Sequence, residues 1–228
     1  ERVFVAGADL AEIDALDDPG LHAYLAFGTT VFSRIANLPY PTVALINGAT
    51  LGGGLEIAMH CDGLIASKVS ANGKPYPIGL PEAGLGICPG WGGSQMLTAR
   101  IDARTAIAAT ATGKPFMTSD LPDGLVAVFV DSPNNLQQAG ELWLQNQTTK
   151  NSALPTITPE NAERCQVGLT EAKESVEATD AASAVFLAIE TGITDGWAAA
   201  VAIEQCELVR LRNTTEAREK LDAFLSKG

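Results

Sequence analysis

Two glutamates stand where acid–base chemistry could be done. Glu56 closes the run Thr50-Leu51-Gly52-Gly53-Gly54-Leu55-Glu56, and Glu82 lies within Gly79-Leu80-Pro81-Glu82-Ala83-Gly84-Leu85-Gly86. Glu82 is set among apolar residues and glycines with no adjacent cation. Burial there would raise its pKa and suit it to act as a general acid; its plainer reading is a surface-loop residue. Glu56 falls in the first turn of a helix, where the helix dipole favours a carboxylate for structural reasons alone. The glycines around it offer a second kind of chemistry. Placed between a buried strand and a helix, they let free N–H groups converge on one spot, which suits an oxyanion or a phosphate. Ala6-Gly7-Ala8-Asp9 is a third small-residue turn, and Gly90-Trp91-Gly92-Gly93 again leads into a helix. Taken singly, each of these is equally well a tight turn. His60 lies one helical turn beyond Glu56 and reads as a packed or hydrogen-bonded residue, and Asp62 as structural. No Ser-His-Asp arrangement and no metal-ligand spacing is visible, so no metal is expected.

The elements that must position these residues can be read from periodicity. Val3 to Val5 is a strand, and Leu10 to Leu16 opens a helix. Asp17-Asp18-Pro19-Gly20 reads as a break, followed by a helix from Leu21 to Leu38 with apolar residues at helical spacing. Pro41 to Asn47 is β-branched and apolar and predicts a buried strand. Gly48 to Gly54 holds four glycines in seven positions. A helix over about Leu55 to Cys61 follows, then a short strand at Gly63 to Ser67. Ser70 to Tyr76 reads as an exposed loop. Helices are expected at Ser94 to Arg100 and Thr105 to Thr112, and a β-type run at Leu125 to Val130. Beyond Asn135 helices dominate: about Leu136 to Gln147, Pro159 to Glu177, Ala181 to Glu190 and Trp197 to Arg212. Thr215 to Lys227 is amphipathic, with Leu221, Phe224 and Leu225 on one side. The reading is α/β, with a core over residues 1–134 and a helical region over 135–228.

Composition narrows the partners. A formal net charge of −12 over 228 residues repels phosphate backbones and anionic membrane surfaces. Neither nucleic acid nor a membrane is therefore an expected partner, and no apolar stretch is long enough to span a bilayer. An anionic small ligand remains open, because backbone amides and local cations can hold one. Cys61, Cys88, Cys165 and Cys206 form no paired pattern and read as reduced thiols of a cytoplasmic protein. The chain begins inside a strand-like run, so upstream sequence is expected.

The three turns taken in order read AGADL, NGATLGGGLEIAMHCD and GLPEAGLGICPGWGG. This succession resembles the crotonase (enoyl-CoA hydratase/isomerase) family over about Val3 to Val130, and more weakly into the C-terminal helices. The resemblance implies a ββα superhelical spiral core with a helical C-terminal trimerisation region. It also implies an acyl-CoA substrate and no cofactor beyond the coenzyme A that the substrate carries. In the family, two backbone N–H groups hold the thioester oxygen; the matching positions here are Ala8 and Gly53. Hydratases of the family carry two glutamates around one water, matched by Glu56 for activating the water and Glu82 for proton transfer at the α-carbon. Gly90 matches a position whose N–H helps hold that water.

By the same resemblance Ala6, Gly7, Asp9, Gly52 and Trp91 are expected at the substrate. So are Phe224 and Lys227, at an end that the family supplies from a neighbouring subunit of a trimer or a pair of trimers. Both glutamates favour an enoyl-CoA hydratase. An isomerase or a thioester hydrolase of the same fold, or an inactive truncated acyl-CoA-binding paralogue, are the alternatives. The wording of the third motif also resembles the hydratase part of multifunctional fatty-acid oxidation proteins. The departures are the family's strands and helix before AGAD, which this chain lacks, a longer segment at Ser70 to Pro77, and Ala11 at a position that is often basic.

Overall fold

The computed structural model describes residues 2–147 and 154–226. It opens with β1 (Val3–Val5), α1 (Leu10–Ala15) and α2 (Asp18–Ala36). Then come β2 (Val43–Ile46), β3 (Ala49–Leu51), α3 (Gly53–Met59), β4 (Gly63–Ser67) and β5 (Pro77–Gly79). A short 3₁₀ turn at Glu82–Leu85 leads to α4 (Gly93–Arg100), α5 (Ala103–Thr112), β6 (Phe116–Met117) and β7 (Val128–Val130). The remaining helices are α6 (Leu136–Gln145), α7 (Ala162–Ser175), α8 (Asp180–Asp195), α9 (Trp197–Arg212) and α10 (Thr215–Leu225).

The strands fall into two sheets. One runs β1-β3-β5-β6, parallel except for the last pair, and the other runs β2-β4-β7, parallel throughout. From β1 to β5 successive strands alternate between sheets. β2 enters one and β3 the other before α3; β4 and β5 repeat the move before α4. That alternation is the expected ββα spiral. Its inner strand β4 is buried at all five residues, as a parallel strand covered on both faces should be.

Several boundaries differ from the sequence reading, each for a local reason. Asp17 to Gly20 is a helix start and not a break. The Asp17 carboxylate accepts from the Gly20 amide at 2.8 Å, and Pro19 sits in the first turn, where its missing N–H costs nothing. Ala49–Leu51 hides a strand inside the glycine-rich run, paired with β1 and β5. Tyr76 does not belong to an exposed loop: it is 3% exposed, and its hydroxyl donates to the Ile46 carbonyl at 2.9 Å. Only Ala71 to Pro75 are exposed there. The β-type run at Leu125 shortens to Val128–Val130, with Leu125 itself in the core.

The C-terminal helices close over the spiral. Arg212 of α9, 3% exposed, donates to the carbonyls of Ile13 and Leu16 and to the Asp18 carboxylate, each at 2.7 Å. It thereby ties α9 to the end of α1 and the start of α2. Arg218 of α10 pairs with Asp14 of α1. Among the described residues no helix is long and apolar enough to cross a membrane.

Candidate active site

A cavity of about 390 Å³ opens where the turn Ala6–Ala8, the turn Leu51–Gly53 and the segment Pro81–Trp91 meet. Its lining is mostly apolar, with Leu25, Ile87, Trp91 and Leu208 among the contributors. Two carboxylates, Glu56 and Glu82, face it.

Glu56 reaches this point because α3 starts directly after β3. Gly54 permits the approach: a Cβ there would stand 2.1 Å from the Val5 carbonyl oxygen, so only glycine lets α3 seat against β1. Arg100 holds the other end of α3 by donating to the Met59 carbonyl at 2.6 Å. The Glu56 side chain is buried, and its Oε1 accepts from the amides of Trp91 and Gly93, both at 2.8 Å. Burial pushes its pKa well up, with the charges of Glu82 and Glu204 adding to the rise, while the two amide bonds pull it back.

Glu82 enters from the 3₁₀ turn. Its Oε2 is buried with no hydrogen-bond partner among the described residues. A Cβ on Gly52 would lie 2.7 Å from its Oε1, so the carboxylate rests directly on the glycine turn that starts α3. Burial, followed by the negative charge of Glu204, raises its pKa to about 8, against the pull of a bond from its own backbone amide. A carboxylic acid that stays protonated at neutral pH is the form a general acid needs.

The two glycine turns bring backbone amides together. A Cβ built on Gly53 would stand 3.6 Å from the Ala8 nitrogen, and one on Gly7 (φ +102°) would stand 3.8 Å from the Gly53 nitrogen. Among the described residues neither nitrogen donates to a protein acceptor. Two unspent donors side by side on a cavity wall can hold a single oxygen that gains negative charge.

Of the residues singled out from the sequence, Ala6, Gly7, Ala8, Gly52, Gly53, Glu56, Glu82, Gly90, Trp91 and Phe224 all line this one cavity. Trp91 is a fixed wall: its indole N–H donates to the Leu25 carbonyl at 3.0 Å, and Tyr24 and Phe32 pack on its ring. The Gly90 carbonyl accepts from Gln205 at 3.2 Å. Phe224 reaches the cavity of its own chain, whereas the family resemblance supplies that end from a neighbouring subunit.

Asp9 stands apart from this group. It does not line the cavity; its exposed carboxylate is occupied in capping α1, accepting from Ala11 at 2.9 Å and Glu12 at 3.4 Å. Lys227 lies outside the described residues. His60 packs against Phe32 and Trp197 while its Nδ1 donates to the Glu56 carbonyl at 2.8 Å, and Asp62 accepts from the amide and hydroxyl of Thr42.

Reading the sequence missed Glu204, a third buried carboxylate. Its Oε2 accepts from the Gly92 amide at 2.7 Å, and its Oε1 from the Ser94 amide at 3.1 Å and from the Ser94 hydroxyl. The signal was available: Glu204 shares the buried face of α9 with Ala200, Val201 and Leu208, at spacings of four, three and four residues. A lone acid on an otherwise apolar helical stripe asks for buried donors. Among the described residues no cluster of His, Cys, Asp or Glu has the makings of a metal site.

A family model described as enoyl-CoA hydratase/isomerase matches residues 1–158, more than two thirds of the chain. An enoyl-CoA hydratase from Bacillus anthracis is 25% identical, with all of this chain covering 75% of that one at a TM-score of 0.53. An enoyl-CoA hydratase from Rhodobacter sphaeroides 2.4.1 is 22% identical, with 99% of this chain covering 73% of that one at a TM-score of 0.70. The human mitochondrial delta3-delta2-enoyl-CoA isomerase is 23% identical, with coverages of 99% and 76% and a TM-score of 0.65. These last two similarities speak to the fold.

Proposed function

The chain belongs to the enoyl-CoA hydratase/isomerase family, and on that footing we propose that it adds water reversibly across the double bond of a 2-enoyl-CoA thioester. The observation that carries this reading is the convergence of Glu56 and Glu82 on one cavity beside the paired amides of Ala8 and Gly53. An isomerase needs to move one proton between two carbons. Hydration needs a proton taken from water and another delivered to carbon, and two carboxylates supply both.

The steps follow from the positions. The thioester oxygen accepts from the Ala8 and Gly53 amides. Glu56 acts in its ionised form, which burial opposes and the Trp91 and Gly93 amides favour, and it removes a proton from water as the water oxygen bonds to the β-carbon. The double-bond electrons pass toward the thioester oxygen as an enolate, whose charge the two amides offset. One such donor is typically worth roughly 3–4 kcal/mol of barrier. Glu82, protonated, delivers its proton to the α-carbon as the enolate collapses. Glu56 then holds a proton and Glu82 a negative charge, and exchange with solvent restores both. Coenzyme A takes part only as the substrate's own carrier, and no other cofactor is needed. The same reading places the chain in cytoplasmic fatty-acid β-oxidation, as a homotrimer or a pair of trimers. Sedimentation velocity of the purified chain tests the assembly: a trimer or hexamer is expected, and a strict monomer contradicts it.

The reaction itself is tested by incubating the purified protein with crotonyl-CoA. Loss of the conjugated thioester absorbance with appearance of 3-hydroxybutyryl-CoA is expected. Conversion of a 3-enoyl-CoA to the 2-enoyl isomer with no hydration, or release of free CoA, would replace the reading with isomerase or hydrolase. The pH dependence has two limbs. Glu56 must be ionised to act, so hydration should rise with pH on the acid side, and Glu82 must be protonated, so hydration should fall as pH rises through about 8. A rate that stays flat well into the alkaline range would show that Glu82 is not the acid.

A further inference from the structure

We propose that Glu204, on α9 and outside the cavity lining, is a positioning residue for the acid–base pair: it holds the turn into α4 so that this turn's alternate amides stay aimed at Glu56. The four consecutive amides of the turn are shared between two carboxylates. Trp91 and Gly93 donate to Glu56 Oε1, whereas Gly92 and Ser94 donate to Glu204. One carboxylate alone cannot keep this alternation, because the amides in between would be buried without acceptors. Gly92 adopts φ +87°, and a Cβ there would strike the Trp197 ring at 2.0 Å, so the turn is also packed from the α9 side.

The support behind Glu204 is itself anchored. Ser94 donates its hydroxyl to Glu204 and accepts from Gln95 Nε2 at 3.1 Å, and the same Gln95 nitrogen donates to the Ala188 carbonyl of α8 at 3.0 Å. Burial raises the Glu204 pKa to about 7, and the donors facing both its oxygens work against that rise, so it carries its charge in the alkaline range where Glu82 titrates. The titratable groups facing it are Glu56 of α3, Glu82 of the 3₁₀ turn and Cys88, whose thiol donates to the Glu204 carbonyl at 3.5 Å. Negative charge on Glu204 works against ionisation of both catalytic candidates. The C-terminal helical region thus acts on the chemistry without touching substrate, through geometry and through charge.

The kinetic part of this inference rests on the hydratase reading; the structural part does not. The test is residue-resolved amide hydrogen exchange on the free protein, with crotonyl-CoA kinetics beside it, for wild type, Glu204→Gln and Ser94→Ala. Exchange at Trp91 and Gly93, whose own acceptor is untouched, should quicken at least about tenfold in Glu204→Gln and by less in Ser94→Ala. The kcat of Glu204→Gln should fall about tenfold to a hundredfold with KM within about twofold, as expected when an aligned group drifts. Its alkaline limb should move to lower pH, whereas Ser94→Ala, which keeps the charge, should leave the limb in place.

Unchanged exchange at Trp91 and Gly93 in a folded variant overturns the proposal, and so does an unchanged kcat in a protein that hydrates crotonyl-CoA. Should Glu204→Gln fail to fold, Ser94→Ala decides on the same exchange readout. A wild type without hydratase activity defeats the proposed reaction, and the exchange result still decides the role of Glu204.

Discussion

Glu82→Gln is expected to lower kcat for crotonyl-CoA hydration by about 10²- to 10⁴-fold with little change in KM, the usual loss when a positioned proton donor is removed. The amide keeps the size and hydrogen-bonding capacity of the acid and cannot deliver a proton to carbon. The same substitution has an opposite effect on stability, which separates loss of chemistry from loss of fold. The carboxyl titrates near 4.5 when unperturbed and at about 8 in the folded protein. Between those values the native state holds a proton that the unfolded chain releases. Stability owed to this group is complete below about 4.5 and is lost as pH rises through about 8. Above that pH the wild type must bury a charge and the variant need not, so Glu82→Gln should melt no lower than wild type there. A variant that loses activity and also melts lower at alkaline pH would point to damage instead. Glu56→Gln should lower kcat comparably, because its oxygen can still accept from Trp91 and Gly93 while the base is gone.

Gly53→Ala should cost about a hundredfold in kcat, the scale of a misplaced catalytic group. The added Cβ would stand 2.6 Å from Cζ3 of Trp91. That ring cannot retreat easily: its indole N–H is bonded to the Leu25 carbonyl at 3.0 Å, and a Cβ at Gly28 would already sit 2.3 Å from Nε1. The backbone at Gly53 must yield, and with it the amide that faces the substrate oxygen. Steady-state kinetics check this, and the double variant Gly53→Ala/Trp91→Leu should recover part of the loss by making room. An undiminished kcat for the single variant would mean that the Gly53 amide does not hold the reacting oxygen.

What could be seen in advance, and what could not, follows from the range of the interactions. The strand at Gly63 to Ser67 and the glycine-to-helix passage at Gly52 to Glu56 were legible because periodicity and glycine content are local signals. Glu56 and Glu82 were legible as a pair only through the succession of three turns, since neither acid is unusual alone. Asp17 was misread because an Asp before Asp-Pro-Gly signals a break and a helix cap in the same letters; the carboxylate's bond to Gly20 decides it. Tyr76 sits beside a polar loop in sequence, yet its hydroxyl finds the Ile46 carbonyl across the spiral. Asp9 of AGAD caps α1 through its carboxylate, a contact that its place among small residues did not announce. Glu204 meets Gly92 from 112 positions away, and only the folding of α9 against α4 brings that contact into being.

The central claim is that two carboxylates and two amides act on one enoyl thioester, and isotope labelling of the product tests it most directly. Crotonyl-CoA is incubated with the protein in water enriched in ¹⁸O and deuterium, and the product thioester is analysed by mass spectrometry. The account predicts one ¹⁸O at the β-carbon and one deuterium at the α-carbon, both lost together in Glu82→Gln. Deuterium on carbon with no ¹⁸O in the thioester, or ¹⁸O found only in a released carboxylate, would contradict it.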